Sequence, residues 1–231
     1  MKNAMLAIMV SGLISLPAGA FDDGFESYTA TNANDWTPVG GWESWFGANQ
    51  GGIYDNQGAP DGNNAWGDWD GSVENDAVNI QRLGVPHDYL VAHIRADSFG
   101  ANGAVKLLSG DAGGDKPELS WNSGGLDWDT HDGGGWHQVF PGGTGEWHKV
   151  ELDLDRTTGF ARVRVDEGPW SDSRKYNIND DPLPLPLNEN VYMWVHNADG
   201  GIDLVQAIPE PATIGLLILG GLLSGIRRRR S

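Results

Sequence analysis

Apolar residues recur along this chain at every second position far more often than at every third or fourth, which is the pattern of half-buried strands. From Tyr89 to Asp97, Leu90, Ala92, Ile94 and Ala96 fall on one side, and Tyr89, Val91, His93 and Arg95 on the other. From Val191 to His196, Val191, Met193 and Val195 oppose Tyr192, Trp194 and His196. The sharpest case runs from Trp147 to Asp166. Val150, Leu152 and Leu154 share one face of its first strand, and Lys149, Glu151, Asp153 and Asp155 the other. The loop after it, Arg156-Thr157-Thr158-Gly159, ends on a glycine suited to the left-handed position of a hairpin turn. If Asp155 faces Phe160, then Leu152 faces Val163 and Val150 faces Val165. On the polar side Asp153 meets Arg162, Glu151 meets Arg164 and Lys149 meets Asp166, three pairs of opposite sign worth about 0.2–1 kcal/mol each.

Shorter strands are expected at the start of Phe21 to Thr29, a first strand and loop, at Val78 to Leu83 with Pro86 as its break, at Ala104 to Leu108, and at Trp136 to Phe140. A last strand, Ile202 to Ala207, follows a turn at Gly200-Gly201. Residues 32–71 read as short strands joined by ordered loops, and residues 110–135 as a Gly/Asp-rich region. The run Pro182-Leu183-Pro184-Leu185-Pro186 is too rich in proline for a central strand. There is no internal repeat and no amphipathic helix, so the body is expected to be all-β, an antiparallel β-sandwich of jelly-roll type.

The ends differ from the body. Met1 to Ala20 has a charged start at Lys2, an apolar core and an Ala18-Gly19-Ala20 finish, the form of a secretory signal peptide read by the Sec export machinery. At the other end, residues 208–231 carry Pro209-Glu210-Pro211, an apolar run over residues 212–226, and Arg227, Arg228, Arg229 and Arg230. As a helix the run is about 22 Å long against a hydrocarbon core of about 30 Å, a short transmembrane segment with the arginines held on the cytoplasmic side. This divides the chain into a signal peptide (1–20), a β-sandwich domain (21–207) and a tail (208–231). Without its ends, the body keeps 10 basic against 31 acidic residues, a net charge near −21. That balance excludes nucleic acid as a partner. With no cysteine, an apolar core and not disulfides must hold the domain.

Two resemblances follow from these residues. The order Pro209-Glu210-Pro211, apolar run, arginine cluster resembles the PEP-CTERM sorting signal of bacteria. It implies export, recognition and cleavage near that motif by an exosortase, a transient stay in the inner membrane, and delivery to the cell surface or extracellular matrix. The opening Phe-Asp-Asp-Gly-Phe-Glu-Ser-Tyr, the Gly-Glu-Trp-His-Lys-Val-Glu-Leu hairpin and the closing Gly-Ile-Asp-Leu-Val look like the concanavalin A-like (laminin G-like) jelly rolls, a group of lectins, carbohydrate-binding modules, glycoside hydrolases and structural domains.

Candidate chemistry falls in three places. Glu151, Asp153 and Asp155 alternate on one strand much as the Glu-x-Asp-x-Glu strand of laminarinase-type hydrolases of that fold does, but the third position is one methylene shorter and arginines oppose the first two. Tyr192 and Trp194 form an aromatic stripe suited to stacking on a sugar, with Trp66, Trp69, Trp128 and Trp136 as rim residues. Asp68 and Asp70, with Asp127 and Asp129, cluster oxygen ligands of the kind calcium takes, although no segment has the twelve-residue calcium loop. No other cofactor motif is present. Together these features predict a non-catalytic, exported sandwich that binds extracellular polysaccharide. The alternatives are a structural surface protein without a ligand and a glycoside hydrolase or lyase of the concanavalin A-like fold.

Overall fold

The computed structural model describes residues 21–45, 50–55, 57–71, 77–110, 117–130 and 134–209. The leader and all of the tail beyond Pro209, the apolar run and arginine cluster included, lie outside the described residues. Among the described residues the chain is all-β and antiparallel, with no helix.

Two long strands organise it. β6 (Tyr89–Gly110) and β13 (Asn188–Ile208) pair with one another over nearly their full lengths. Each spans two layers. In the first layer, the segment 89–94 of β6 pairs with β10 (His148–Asp155), which pairs in turn with β11 (Phe160–Val165), and β11 with β12 (Arg174–Lys175). The segment 200–208 of β13 pairs outward with β4 (Ala65–Asp68), next to β3 (Gly52–Tyr54), and with β1 (Phe21–Asp23). In the second layer, the segment 190–196 of β13 pairs with β5 (Ala77–His87), which carries β2 (Trp42–Glu43). Segment 104–110 of β6 pairs with β7 (Glu118–Asn122), followed by β8 (Gly125–Asp129) and β9 (His137–Phe140).

One apolar cluster lies between the layers. The first contributes Leu90, Ile94, Leu152 and Val163, the second Ile80, Leu107, Trp121 and Met193. The expected alternation from Tyr89 to Asp97 and from Val191 to His196 is what puts these residues inside. Each fully buried Leu or Ile here contributes about 1.5–3 kcal/mol over its exposed state.

The β10–β11 hairpin has the register that the sequence predicts, from Asp155 opposite Phe160 to Val150 opposite Val165. Its turn is set by Asp155, whose Oδ1 accepts the N–H groups of Thr157 and Thr158, and by Gly159 at φ 73°. Two of the three expected charge pairs form, Glu151–Arg164 at 2.6 Å and Asp153–Arg162 at 2.7 Å. The third does not. Asp166 and Glu167 both take positive φ (49° and 59°), so the chain leaves the ladder there. The Asp166 carboxylate turns to His148 Nδ1 at 2.6 Å, and Lys149 Nζ lies 3.5 Å from Glu151.

The opening segment is a strand, Phe21–Asp23, followed by a loop, as expected. Three further expectations are corrected. Pro86 does not break the strand, because β5 runs on to His87 with an irregular register at its end. Ala104 to Leu108 is part of β6. Gly200 and Gly201 are no turn. They sit inside β13 where it passes between the layers, and a Cβ on Gly201 would lie 2.2 Å from the carbonyl oxygen of Trp66. Glycine is needed there for close backbone approach, which a sequence pattern cannot tell from a turn.

Candidate functional site

The outer face of the first layer carries the acidic strand. Glu151 is buried, and both its oxygens are held by Arg164, with Nε at 2.6 Å from Oε2 and Nη2 at 2.9 Å from Oε1. The Tyr89 hydroxyl donates to it as well. Burial alone would push the Glu151 carboxyl up, but the hydrogen bonds of Arg164 and Tyr89 and the charge of Lys149 outweigh it and hold it below its ordinary value. Asp153 pairs with Arg162. Asp155 is held low by the Thr157 hydroxyl first, with Thr158 adding to it, and serves its own turn. A cleft of about 480 Å³ lies beside Asp153, Asp155 and Arg162, but Asp153 is taken up by its arginine and Asp155 by its own turn. None is placed as a proton donor.

The outer face of the second layer is different. Cross-strand pairing lines up Asn79, Trp194, Lys106, Ser120, Asp127 and Gln138 in one row across six strands. Five strand spacings make the row about 24 Å long. A second row beside it runs Gln81, Tyr192, Leu108, Glu118 and Asp129. Where the rows meet, Lys106 Nζ lies 2.7 Å from Glu118 Oε1, 4.9 Å from the centre of the Trp194 ring and 5.4 Å from that of Trp136. Glu118 and Asp129 are directly opposed on neighbouring strands, and both are buried. A cleft of about 430 Å³ opens along Lys106, Ser120, Asn122, Asp127 and Trp136. Aromatic rings, hydrogen-bonding side chains and paired carboxylates on one sheet face can hold a chain of sugar rings.

Of the expected aromatic residues, Trp194 belongs to this face and is half-buried. Tyr192 is next to it but covered. Trp45 lies 4.7 Å from its ring, and Asn190 donates to its hydroxyl. Trp66 and Trp128 are corrected outright. Both are core residues, at 0% and 1% exposure, because their positions alternate inward. Trp69 sits at the first layer, packed against Tyr54 and Trp147, and donates to Asp97 at 2.8 Å.

The expected oxygen ligands do not form one group. Asp68 and Asp70 come together with Asp199, their oxygens within 4.8 Å of one another. The Asn34 amide donates to both Asp68 and Asp70, and Ser98 donates to Asp199. Asp127 and Asp129 lie in the other layer, where Asp127 accepts from Asn122 at 2.7 Å. Sequence reading missed Glu118 and Lys106 and the pairing of Glu118 with Asp129, whereas Trp136, expected at the rim of the Trp194 stripe, does lie with Trp194 at the Lys106 ammonium. The usable signal was the alternation Glu118-Leu119-Ser120-Trp121-Asn122 within a stretch dominated by Gly and Asp.

No protein-family model matches the chain, and no curated protein matches it. Solved structures do. The chain is similar in fold to the apo form of the Crh5 transglycosylase, with 11% identity and a TM-score of 0.54 over 85% of this chain and 86% of that one. The same enzyme in complex with NAG gives a TM-score of 0.55 at 11% identity over the same shares. The cellulose induced protein Cip1 gives 0.52 at 17% identity, over 80% of this chain and 95% of that one. The fold is therefore of the jelly-roll type found among carbohydrate-handling proteins. These likenesses correct the expectation of a non-catalytic protein. A transglycosylase shares this fold across most of both chains, so the reading as a non-enzyme is withdrawn. No helix among the described residues is long and apolar enough to cross a membrane.

Proposed function

We propose that this protein acts on polysaccharide, holding a glycan chain along the outer face of the second layer and processing a glycosidic bond at Glu118 and Asp129. The opposed placement of these two carboxylates, with Lys106 reaching from Glu118 to the Trp194 ring, carries the reading. Directly opposed residues hold their Cβ atoms about 4.5–5.5 Å apart, which lets the two carboxyl groups reach the separation of roughly 5–5.5 Å used by a retaining pair. The ammonium of Lys106 on Glu118 suits the carboxylate to the nucleophile's part, and Asp129 is left the part of acid and base. The names of the fold neighbours support the substrate class, since one is a transglycosylase solved with NAG and another a cellulose induced protein.

The test is a panel of insoluble and soluble glycans incubated with the full chain, read by retention and by new reducing ends. Glu118→Gln and Asp129→Asn are expected to abolish product release and keep retention, and Trp194→Ala to weaken retention. Product release that survives Glu118→Gln but is lost in Glu151→Gln would move the chemistry to the other face and overturn the assignment. The signal peptide and the Pro209-Glu210-Pro211 tail support export and exosortase sorting to the cell surface or matrix. Mass spectrometry of the mature protein, with cleavage expected after Ala20 and near Pro209, tests that part.

A further inference from the structure

We propose that Asp127 makes the glycan face selective for sugars that carry a protonated amine, so that the polysaccharide it takes has free amino groups. The inference deepens the glycan reading and rests on it. Its starting point is a carboxylate without a cation. Asp127 lies on β8, between Ser120 of β7 and Gln138 of β9 in the row across the sheet. It is half-buried and lines the cleft of about 430 Å³. Asn122 donates to its Oδ2 at 2.7 Å, and among the described residues its side chain has no other partner. No ion pair among the described residues includes it. An ionised carboxylate with one neutral donor keeps most of its acceptor sites open.

The charges nearby favour a cation and oppose an anion. Among the described residues that line the cleft, Lys106 alone is cationic, and its ammonium is held by Glu118 at 2.7 Å. Its place in the row is two strand spacings, about 10 Å, from that of Asp127, so it leaves Asp127 uncompensated. Asn102, Ser120, Asn122 and Ser123 in the same cleft are neutral. Glu118 and Asp129 add two carboxylates on the same face, and the body as a whole holds 31 acidic against 10 basic residues. A carboxylate accepts from a sugar hydroxyl and from an ammonium alike, but the bond between ions is about twice as strong. The field of the acidic body acts in the same sense over a longer range, drawing cationic chains in and turning uronate chains away. Trp136, exposed at the same cleft, offers the ring face on which that sugar stacks. An N-acetyl group in place of the amine removes the charge and brings more bulk to the carboxylate. The expected order of affinity is amine first, hydroxyl or N-acetyl next, uronate last.

The full chain is titrated by calorimetry with tetrasaccharides of glucosamine, N-acetylglucosamine, glucose and glucuronate. Mildly acid pH keeps the amines protonated and the aspartate ionised. The glucosamine tetramer is expected to bind about tenfold tighter than its N-acetylated form, and a rise in salt from about 0.05 M to about 0.5 M to remove most of that ratio. Asp127→Asn keeps an acceptor for Asn122 and is expected to bring the two affinities within about twofold. Glu146→Gln takes the same charge from an exposed position just before β10 and should leave the ratio as it is. A ratio that persists in Asp127→Asn, or that falls equally in Glu146→Gln, overturns the proposal in favour of diffuse attraction by the acidic surface. Should Asp127→Asn not fold, a ratio in the natural chain that does not respond to salt overturns it instead. Equal binding of all the tetramers, lost together in Trp194→Ala, keeps the glycan face and overturns the preference for amines. Binding of none of them overturns both.

Discussion

Asp203→Asn should stabilise the protein at alkaline pH and lose that advantage in acid. Asn keeps the shape and removes the charge. The ordinary value of an aspartate carboxyl is 3.8, and burial, followed by Asp61 and Glu26, raises it to about 7 in the folded chain. The folded state therefore keeps a proton that the unfolded chain gives up. That contribution to stability is full below about pH 4 and is lost as pH rises through 7. A rise of about three, at about 1.4 kcal/mol each, amounts to roughly 4 kcal/mol. The amide oxygen can keep the N–H groups of Leu204 and Asp61, but the buried NH2 adds donors that must find acceptors, at a cost of about 1–3 kcal/mol at every pH. The readout is thus the change in the gap between variant and wild type. The gap should move by about 2–3 kcal/mol in favour of the variant from pH 5 to pH 8, equivalent to roughly 5–10 °C in Tm. Urea titrations of both proteins measure it. His87 works the other way in the same window, since burial lowers it to about 4 and its neutral form loses ground as pH falls. The comparison with wild type cancels that effect. A gap that stays constant with pH, or that grows against the variant at pH 8, would refute the argument.

Other substitutions test the rest of the fold. Arg164→Ala strands the buried Glu151 and should cost about 3–5 kcal/mol in chemical denaturation, whereas Arg162→Ala, at a half-exposed pair, should cost about 1 kcal/mol or less. Trp128→Ala should lose about 3–5 kcal/mol of stability through an empty core site, while Trp194→Ala should change glycan retention with a smaller loss of Tm. Gly201→Ala forces a Cβ to 2.2 Å from the Trp66 carbonyl oxygen and should cost about 1–3 kcal/mol or more, seen as a lower urea midpoint.

The parts of the fold legible in the sequence are those where alternation was unbroken. The β10–β11 hairpin follows from eight alternating residues and a glycine-ended turn, and its register emerged to the residue. Legibility failed where polar spacing hid the period. In β7 and β8 the inward residues Leu119, Trp121, Leu126 and Trp128 alternate with Ser, Asn and Asp, which are also the residues of turns. Glycine misled for a related reason. At Gly200 and Gly201 it marks a crossing of backbones, and only the layered packing distinguishes that from a bend. The site suffered most, since Glu118 and Asp129 are eleven residues apart and meet only through strand pairing. Charge attraction in β10, by contrast, was readable, and two of its three expected pairs form.

The two outer faces show why one is suited to a ligand. On the first layer each acid of the hairpin strand has its counterpart, Glu151 with Arg164 and Asp153 with Arg162, and Trp170 lies with its ring 4.6 Å from both guanidinium carbons. Charge and aromatic surface there are used up in holding the sheet, so a sugar would have to displace bonds already made. On the second layer one lysine reaches Glu118, Trp194 and Trp136 together, and Ser120, Asp127 and Gln138 continue the row past it. Lys106 is the hinge of that arrangement. Its ammonium sets the spacing of two rings and one carboxylate that a pyranose would otherwise meet unaligned. Lys106→Met keeps the length of the stem and removes the charge, so it should leave Tm nearly unchanged and lower both glycan retention and product release. Lost retention with full turnover of soluble oligosaccharides would confine Lys106 to binding, and unchanged values of both would remove it from the site.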